Sequence, residues 1–402
     1  MRLLEINSVV NFGSTGKIVS DLAKYAQHHG AEVLVCYGRG QAEAPFALYR
    51  IGHGRFNFYE AALETRLFDN AGFASREPTR KLLKVIDNFQ PDVIHLHNLH
   101  GYYINVGELF DYLANHSKAQ VIWTLHDIWP FSPHAAMMAL EDMQQVPTTI
   151  QHRSELSLYP QTWLFNRKDN NYWRKRRVFT QLSPQRLHFV APSKWMATLV
   201  QHSFFKDYPV QIIYNGIDTI KFENYLKQPL YQPHTMPPKR GLAVASVWNE
   251  NKGLSYLNQL AELLKGQLQL TLVGDLRKQK VSELINAVGP VPDIAQLTNY
   301  YQQADVLINP TLAETFGLTN VESLVCGTPV ITFAAGGNAE MLTDKTGIVV
   351  PRGDLPSLLN AVKQIHKDEQ VAQLCQQQGL KFNQAQMNQN YWHLYQQVTQ
   401  VK

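Results

Sequence analysis

Among 402 residues there are three cysteines, Cys36, Cys326 and Cys375, and no C-x-x-C spacing. A disulfide framework and the common zinc patterns are therefore excluded, and a reducing compartment is implied. No run of 18 apolar residues exists to cross a membrane as a helix. The opening MRLLEINSVV is too short and too soon interrupted for a secretory signal, so the expected location is cytoplasmic. No D-x-D occurs, and a formal net charge of +4 is too mild to imply nucleic acid by itself. What is present, 45% hydrophobic and 17% charged residues, suits a globular chain of about two domains.

The stretch VVNFGSTGKIVSDL, residues 9–22, places glycines, small hydroxyls and a lysine after an apolar run. A triphosphate-binding loop needs Gly five residues before the Gly-Lys pair and Ser or Thr after it. Asn11 and Ile18 stand there, and G-x-G-x-x-G fails as well. What remains is a strand, a flexible turn and a helix start with free N–H groups for an anion, or an ordinary tight turn.

Near-continuous apolar runs recur along the chain: residues 2–7, 32–36, 92–97, 120–125, 187–191 and 211–214, then 241–246, 268–274, 305–310 and 329–333. Strands buried on both faces read this way, which predicts parallel sheets covered by helices. Helical patterns lie between them, among them residues 15–30 and 252–266. The rhythm occurs twice, separated by a proline-bearing break at 221–240. The expected fold is therefore α/β, two Rossmann-like, doubly wound parallel-sheet domains with ligands outside the carboxyl ends of the strands, in an interdomain cleft. Residues 128–170 are long for a loop.

Within NPTLAETFGLTNVESLVCGTPVITFAAGGNAEML, residues 309–342, Glu314 lies on a loop and Glu322 follows eight residues later on the second turn of a helix. Carboxylates accept paired hydroxyl hydrogen bonds, and helix-start N–H groups near Phe316 to Leu318 suit an anion. Together they fit a ligand with hydroxyls at both ends and phosphates between. Two surface glutamates are the plain alternative.

ETFGLTNVE resembles the E-x7-E element of the retaining GT-B glycosyltransferases of family 4. QQADVLINPT, SLVCGTPVI, AAGGNAEML, FVAPSKWM, IYNGIDTIKF and VASVWNENKGL resemble that family's neighbouring segments in the right order. LFDNAGFASREPTRKLL, DVIHLHNLHGYYIN and WTLHDIWPFSPH resemble its bacterial exopolysaccharide, colanic-acid-type branch. The resemblance implies GT-B architecture: residues 1–220 for the acceptor, 221–384 for a nucleotide-sugar donor, and 385–402 as a helix crossing back to the first domain. It implies transfer of a hexosyl group from a UDP- or GDP-linked sugar to a glycan or lipid-linked saccharide, with retention, in cell-surface polysaccharide synthesis. No cofactor and no metal are implied. Glu322 would bind ribose hydroxyls, and Glu314 would steady charge at the anomeric centre. Backbone N–H groups of Thr315, Phe316, Gly317 and Leu318 would cradle the donor. Lys252 would neutralise the diphosphate leaving group. Gly13 and Ser14 would let the first-domain backbone approach it, and His126 would stand near the transferred sugar.

Two departures accompany the resemblance. Ser246 stands where many relatives carry an Arg, with Trp248 nearby, and the segment after His134 lacks cysteines found in close relatives. Other nucleotide-sugar enzymes of this fold, such as an epimerase, and a non-catalytic saccharide-binding partner are the alternatives.

HLHNLH brings His95, His97 and His100 together at a strand end, in no strong metal spacing. These residues are expected to line the site. His97, Asn98 and Asp127 are placed on the acceptor side, and His126 with Asp127 could take a proton from a hydroxyl. Residues 166–179 carry six basic side chains, one acid and interleaved aromatics. A solvated helix face, an anionic membrane surface and nucleic acid are the three readings. The second would use Tyr172, Trp173, Arg174, Lys175, Arg176 and Arg177 on the cytoplasmic face; the third has no supporting fold signature. Near the end, Met387, Tyr391, Trp392 and Tyr395 form an apolar helical stripe that needs a partner.

Overall fold

The computed structural model describes residues 1–52, 55–132, 162–165, 167–233 and 237–400. The segment after His134 lies outside them, as does most of 128–170. The chain divides into two compact units, Met1–Ile213 with Asn388–Lys402, and Tyr214–Met387.

The first unit holds a seven-stranded parallel sheet. Its strands are β1 (Arg2–Asn7), β2 (Glu32–Tyr37), β3 (Ala47–Arg50), β4 (Val93–Leu96), β5 (Gln120–Thr124), β6 (Leu187–Ala191) and β7 (Val210–Ile212), ordered β3-β2-β1-β4-β5-β6-β7. Helices supply the crossovers that parallel pairing requires. The helix Gly13–His28 shows the logic: Ile18, Val19, Leu22, Ala23 and Ala26 are buried at three- and four-residue spacing, while Lys17 and Lys24 face solvent. Truncating a side chain such as Leu22 to Ala should destabilise the unit by about 2–5 kcal/mol. Trp123, Phe110, Phe179, Phe189 and Phe205 build an aromatic core on the sheet.

The second unit holds β8 (Lys239–Val247), β9 (Leu268–Asp275), β10 (Ile285–Gly289), β11 (Val306–Asn309), β12 (Val330–Phe333) and β13 (Gly347–Val350), ordered β10-β9-β8-β11-β12-β13 and again parallel. All ten strands expected from apolar runs are present. The three not anticipated, β3, β10 and β13, each lie at a sheet edge. They are partly exposed. The break expected at 221–240 begins inside a short helix, Thr219–Glu223, and ends inside β8.

The stripe on the terminal helix, Gln384–Gln400, is real and longer than expected. Met387, Tyr391, Leu394, Tyr395 and Val398 are buried, and Trp392 packs half-buried against the His29 ring. From Asn388 onward this helix belongs to the first unit.

Each sheet reverses its strand order at one point, between β1 and β4 in the first and between β8 and β11 in the second. Such switch points leave a crevice at the carboxyl ends of the strands. The chain segments that leave those four ends are 8–13, 97–105, 248–254 and 310–318, which contain Gly13, His97, Asn98, Lys252 and the run Glu314 to Leu318.

Candidate functional site

In the second unit, a single 3-10 turn, Glu250–Lys252, follows β8, and the Asn249 side chain caps it by accepting from the Lys252 N–H at 3.1 Å. The next residue must be glycine. Gly253 has φ +77°, and a Cβ there would lie 2.0 Å from the Pro310 carbonyl oxygen. That contact presses the turn onto the loop leaving β11. Asn251 ties the two further by accepting from the Leu312 N–H at 2.8 Å and the Thr311 hydroxyl at 3.1 Å. Across this junction Lys252 Nζ meets Glu314 Oε2 at 2.5 Å, with the lysine one-third exposed and the glutamate less so. Gly336, at φ +65°, fits beneath the Glu314 carbonyl, where a Cβ would come within 1.8 Å, and the Gly337 N–H donates to that carbonyl at 3.1 Å.

The helix Leu318–Val325 carries Glu322, whose Oε2 accepts from the Tyr301 hydroxyl at 2.7 Å. Tyr301 is buried, and burial, then Glu322, hold its hydroxyl well above the ordinary value. A buried amide network fixes the helix start: Asn309 donates to Asn320, and Asn320 donates to the Asn338 carbonyl. Tyr301, Asn309, Asn320 and Asn338 were not expected as site residues. For Asn320 the available signal was an amide on the apolar face of a short helix.

The N–H cradle is narrower than the sequence suggests. The Thr315 N–H donates to its neighbour's Glu314 Oε1 at 3.2 Å, and the Leu318 N–H to the Phe316 carbonyl. Phe316 turns its ring inward against Tyr214 and Phe382. The Phe316 and Gly317 N–H groups are the two in the run without such a bond among the described residues. Ser246 is exposed near the end of β8, and Trp248 is buried, donating to the Val273 carbonyl.

In the first unit, Gly13 and Ser14 begin an exposed helix start with no side-chain cap. At the end of β4 and β5, imidazoles form a chain. His97 Nδ1 lies 3.0 Å from His126 Nε2, and the rings are nearly parallel. His95, tilted against His97, bonds Tyr395 through Nδ1 at 2.7 Å and Thr124 through Nε2 at 2.8 Å. Burial, aided by the neighbouring imidazoles, drives His95 and His97 well below the usual histidine range. Burial also lowers His126 to about 4, with Asp127 opposing. Burial alone would raise Asp127; the His100 imidazole at 2.7 Å and the Trp129 N–H at 2.9 Å instead hold it low. Asn98 is anchored through its backbone, the N–H to Asn7 Oδ1 and the carbonyl to the Tyr103 hydroxyl.

Glu5, on β1 and in register with His95, was missed. It is fully buried, and burial pushes its carboxyl well above the usual range. Its signal was a lone acid inside an apolar run. Donor atoms of Glu5, His95 and His97 lie within 4.8 Å of one another. Both nitrogens of His95 are already hydrogen-bonded, which leaves two donors, too few to hold a metal.

The basic segment needs correction. In the helix Lys168–Phe179, Lys175 is fully buried and donates to the carbonyls of Trp129 and Ser132 at 2.8 and 3.1 Å, over the Trp129 ring. Tyr172 is buried too, against Phe204. Neither can face a membrane. Lys175 instead braces the loop that follows His126 and Asp127. Arg174 is half-buried over Phe73 and donates to Asn70, while Trp173, Arg176 and Arg177 are exposed.

Residues 15–221 match the family model described as Glycosyltransferase Family 4, and residues 238–368 match that described as Glycosyl transferases group 1. The chain belongs to glycosyltransferase family 4. A protein named for colanic acid biosynthesis, the glycosyl transferase WcaC of Escherichia coli (strain K12), is 22% identical over 99% of this chain and 100% of its own. Among solved structures, sucrose-phosphate synthase from Thermosynechococcus elongatus superposes with TM-score 0.70 at 17% identity, over 100% of both chains. Anabaena Alr3699/HepE, solved in complex with UDP-glucose, gives 0.65 at 16%, over 99% of this chain and 100% of its own. These likenesses and the two parallel sheets establish the GT-B fold for this glycosyltransferase. No described helix is long and apolar enough to cross a membrane.

Proposed function

We propose that this glycosyltransferase moves a hexosyl group from a UDP- or GDP-linked sugar to a glycan or lipid-linked saccharide, with retention, in the synthesis of a cell-surface polysaccharide. The observation that carries the reading is the Lys252–Glu314 contact at the second switch point. An ammonium there can turn from the carboxylate to a diphosphate as the glycosidic bond breaks. The carboxylate it releases then faces the positive charge developing at the anomeric carbon. Charge stabilisation of this kind is often the largest catalytic contribution. Glu322, steadied by Tyr301, would accept ribose hydroxyl bonds, and Phe316 and Gly317 would offer N–H groups to the donor. His126 would approach the transferred hexose, with Asp127, His97 and Asn98 on the acceptor side and Gly13 and Ser14 near the diphosphate. The reading as a colanic-acid-type enzyme draws on the full-length likeness to WcaC.

A thermal-shift screen of nucleotide sugars followed by a transfer assay tests this, because a ligand that binds the native state alone raises its melting temperature. Donor-dependent stabilisation and sugar transfer are expected in the wild type, with transfer lost in Lys252→Ala and Glu314→Gln. Donor turnover without any acceptor would point instead to an epimerase, and binding without turnover to a saccharide-binding partner.

Association with the cytoplasmic face of a membrane belongs to the same proposal. It is supported by exposed Trp163, Leu164, Phe165 and Trp173 together with exposed Arg176 and Arg177. Co-sedimentation with anionic vesicles should fall on changing Arg176 and Arg177 to Glu; unchanged sedimentation would reject it.

A further inference from the structure

The switch point of the first sheet carries a cation that no protein group answers. Arg39 follows β2, and its N–H donates to the Ser8 carbonyl at 2.8 Å, which anchors it on the segment leaving β1. From there its exposed side chain crosses the end of β1 to the loop leaving β4. Gly101 receives it. A Cβ on that residue would lie 3.4 Å from Arg39 Nη2 and 3.5 Å from Cζ, and its φ is +117°. Among the described residues no hydrogen bond or ion pair engages the guanidinium. Asp127, the acid at the end of β5, is already held by His100.

The loop under Arg39 is shaped around this contact. The Tyr103 ring packs where Gly38 has no side chain, and a Cβ at residue 38 would collide with it. The Tyr103 hydroxyl donates back to the Asn98 carbonyl at 2.6 Å, which closes the loop on itself. Between the two contacts Tyr102 is held at φ +67°, a conformation a bulky side chain adopts only where its surroundings impose it. Its half-buried ring meets Phe58 edge-on, with 5.3 Å between ring centres. Burial raises the Tyr102 hydroxyl above its ordinary value, and Arg66, then Arg39, oppose that rise; among the described residues no acid acts on it. A guanidinium without a partner and a phenol under positive charge therefore share one surface, on a backbone bent to place them.

We propose that Arg39 and the Tyr102 hydroxyl form an oxyanion subsite on the first unit, and that the acceptor of this enzyme is an acidic saccharide. This deepens the functional reading above and rests on it. A guanidinium presents parallel N–H donors that match two oxygens of a carboxylate or a phosphate, and the phenol adds an O–H donor. The group held is a uronic carboxylate within a glycan or the phosphate that links a saccharide to lipid; both offer the same paired, charged oxygens. A neutral saccharide offers hydroxyls alone, so it forgoes the charge-assisted part of the contact. Every group in the subsite belongs to the first unit.

NMR titration of the full chain with D-glucuronate, with glucose 1-phosphate and with neutral methyl glucoside tests this, at saturating nucleoside diphosphate so that the donor site is filled. At least one of the two acids should bind about tenfold or more tightly than methyl glucoside. Binding of glucuronate alone would name a uronic acid as the acceptor group, binding of glucose 1-phosphate alone a phosphate-linked saccharide, and equal binding would sustain the subsite for either. Arg39→Gln should weaken the acid by about 10–100-fold, the worth of one charge-assisted hydrogen bond, and Tyr102→Phe by about 2–10-fold. Arg39→Lys, which keeps the charge and loses the fork, should fall between the wild type and Arg39→Gln. Acid binding that survives Arg39→Gln would overturn the proposal, as would no preference over methyl glucoside. An equal loss of nucleoside diphosphate affinity in Arg39→Gln would overturn it too, by putting Arg39 in the donor site. A chain that binds the acid through Arg39 but binds no nucleoside diphosphate would keep the subsite and reject the functional reading; one that transfers sugar yet ignores both acids would reject this inference alone.

Discussion

At the switch point of the second sheet an ammonium and a carboxylate touch at 2.5 Å, partly open to solvent; at that of the first, three imidazoles and a carboxyl lie buried together. The first arrangement keeps full charges close to water, where desolvation is small and a charged ligand can displace one partner. In the second, burial favours the neutral form of every member. One fold used twice thus provides a charged half and a neutral half.

Breaking the charged half should have the largest effect. Lys252→Ala and Glu314→Gln should each lower kcat of sugar transfer by about 10²–10³, the range for removing one preorganised electrostatic contact. Steady-state kinetics at saturating donor would show it, and a loss below tenfold in both would contradict the roles assigned. Gly253→Ala separates the charges from their setting. Its Cβ would meet the Pro310 carbonyl at 2.0 Å with φ +77°, so a destabilisation of about 1–3 kcal/mol should accompany reduced transfer, measured by denaturant unfolding beside the assay.

The neutral half is tested by pH. His126 is lowered from 6.5 to about 4, so it should stay uncharged on acidification from neutral to mildly acid conditions. A transfer rate that falls with an ionisation near 6.5, and loses that ionisation in His126→Ala, would contradict this. Stability gives the smallest effect. Glu5 has a folded-state value well above 4.5. The native protein therefore binds this proton more tightly than the unfolded chain, and stability falls as pH rises above 4.5. Glu5→Gln should remove that dependence, raising Tm at pH 8 and leaving it nearly unchanged at pH 4.5. Each gain of about 1 kcal/mol would raise Tm by about 2–4 °C in a unit of this size. The lowered values of His95, His97 and His126 act in the opposite direction, and stability is lost as pH falls below 6.5.

The same contrast explains what the sequence made legible. Central strands appear as near-continuous apolar runs because both faces are covered, whereas β3, β10 and β13, which were not anticipated, are short, partly exposed edge strands. Lys252 and Glu314 could be paired because each follows a strand end in a recognisable segment, and the structure brings them into contact. Glu5 could not, because its meaning depends on His97, far away in sequence and adjacent only through the pairing of β1 with β4. Lys175 misled for a related reason. In a run of basic residues it looks like surface, yet helical geometry turns that one side chain inward onto the carbonyls of Trp129 and Ser132. Composition gives the number of charges in a segment but not the face each occupies.

Calorimetric titration with the nucleoside diphosphate alone tests the charged-against-neutral contrast most directly. Lys252→Ala should weaken binding by about 10–100-fold, the worth of one charge-assisted hydrogen bond, while His126→Ala should bind this sugar-free ligand as the wild type does. Wild-type affinity in Lys252→Ala, or an equal loss in both variants, would contradict the account.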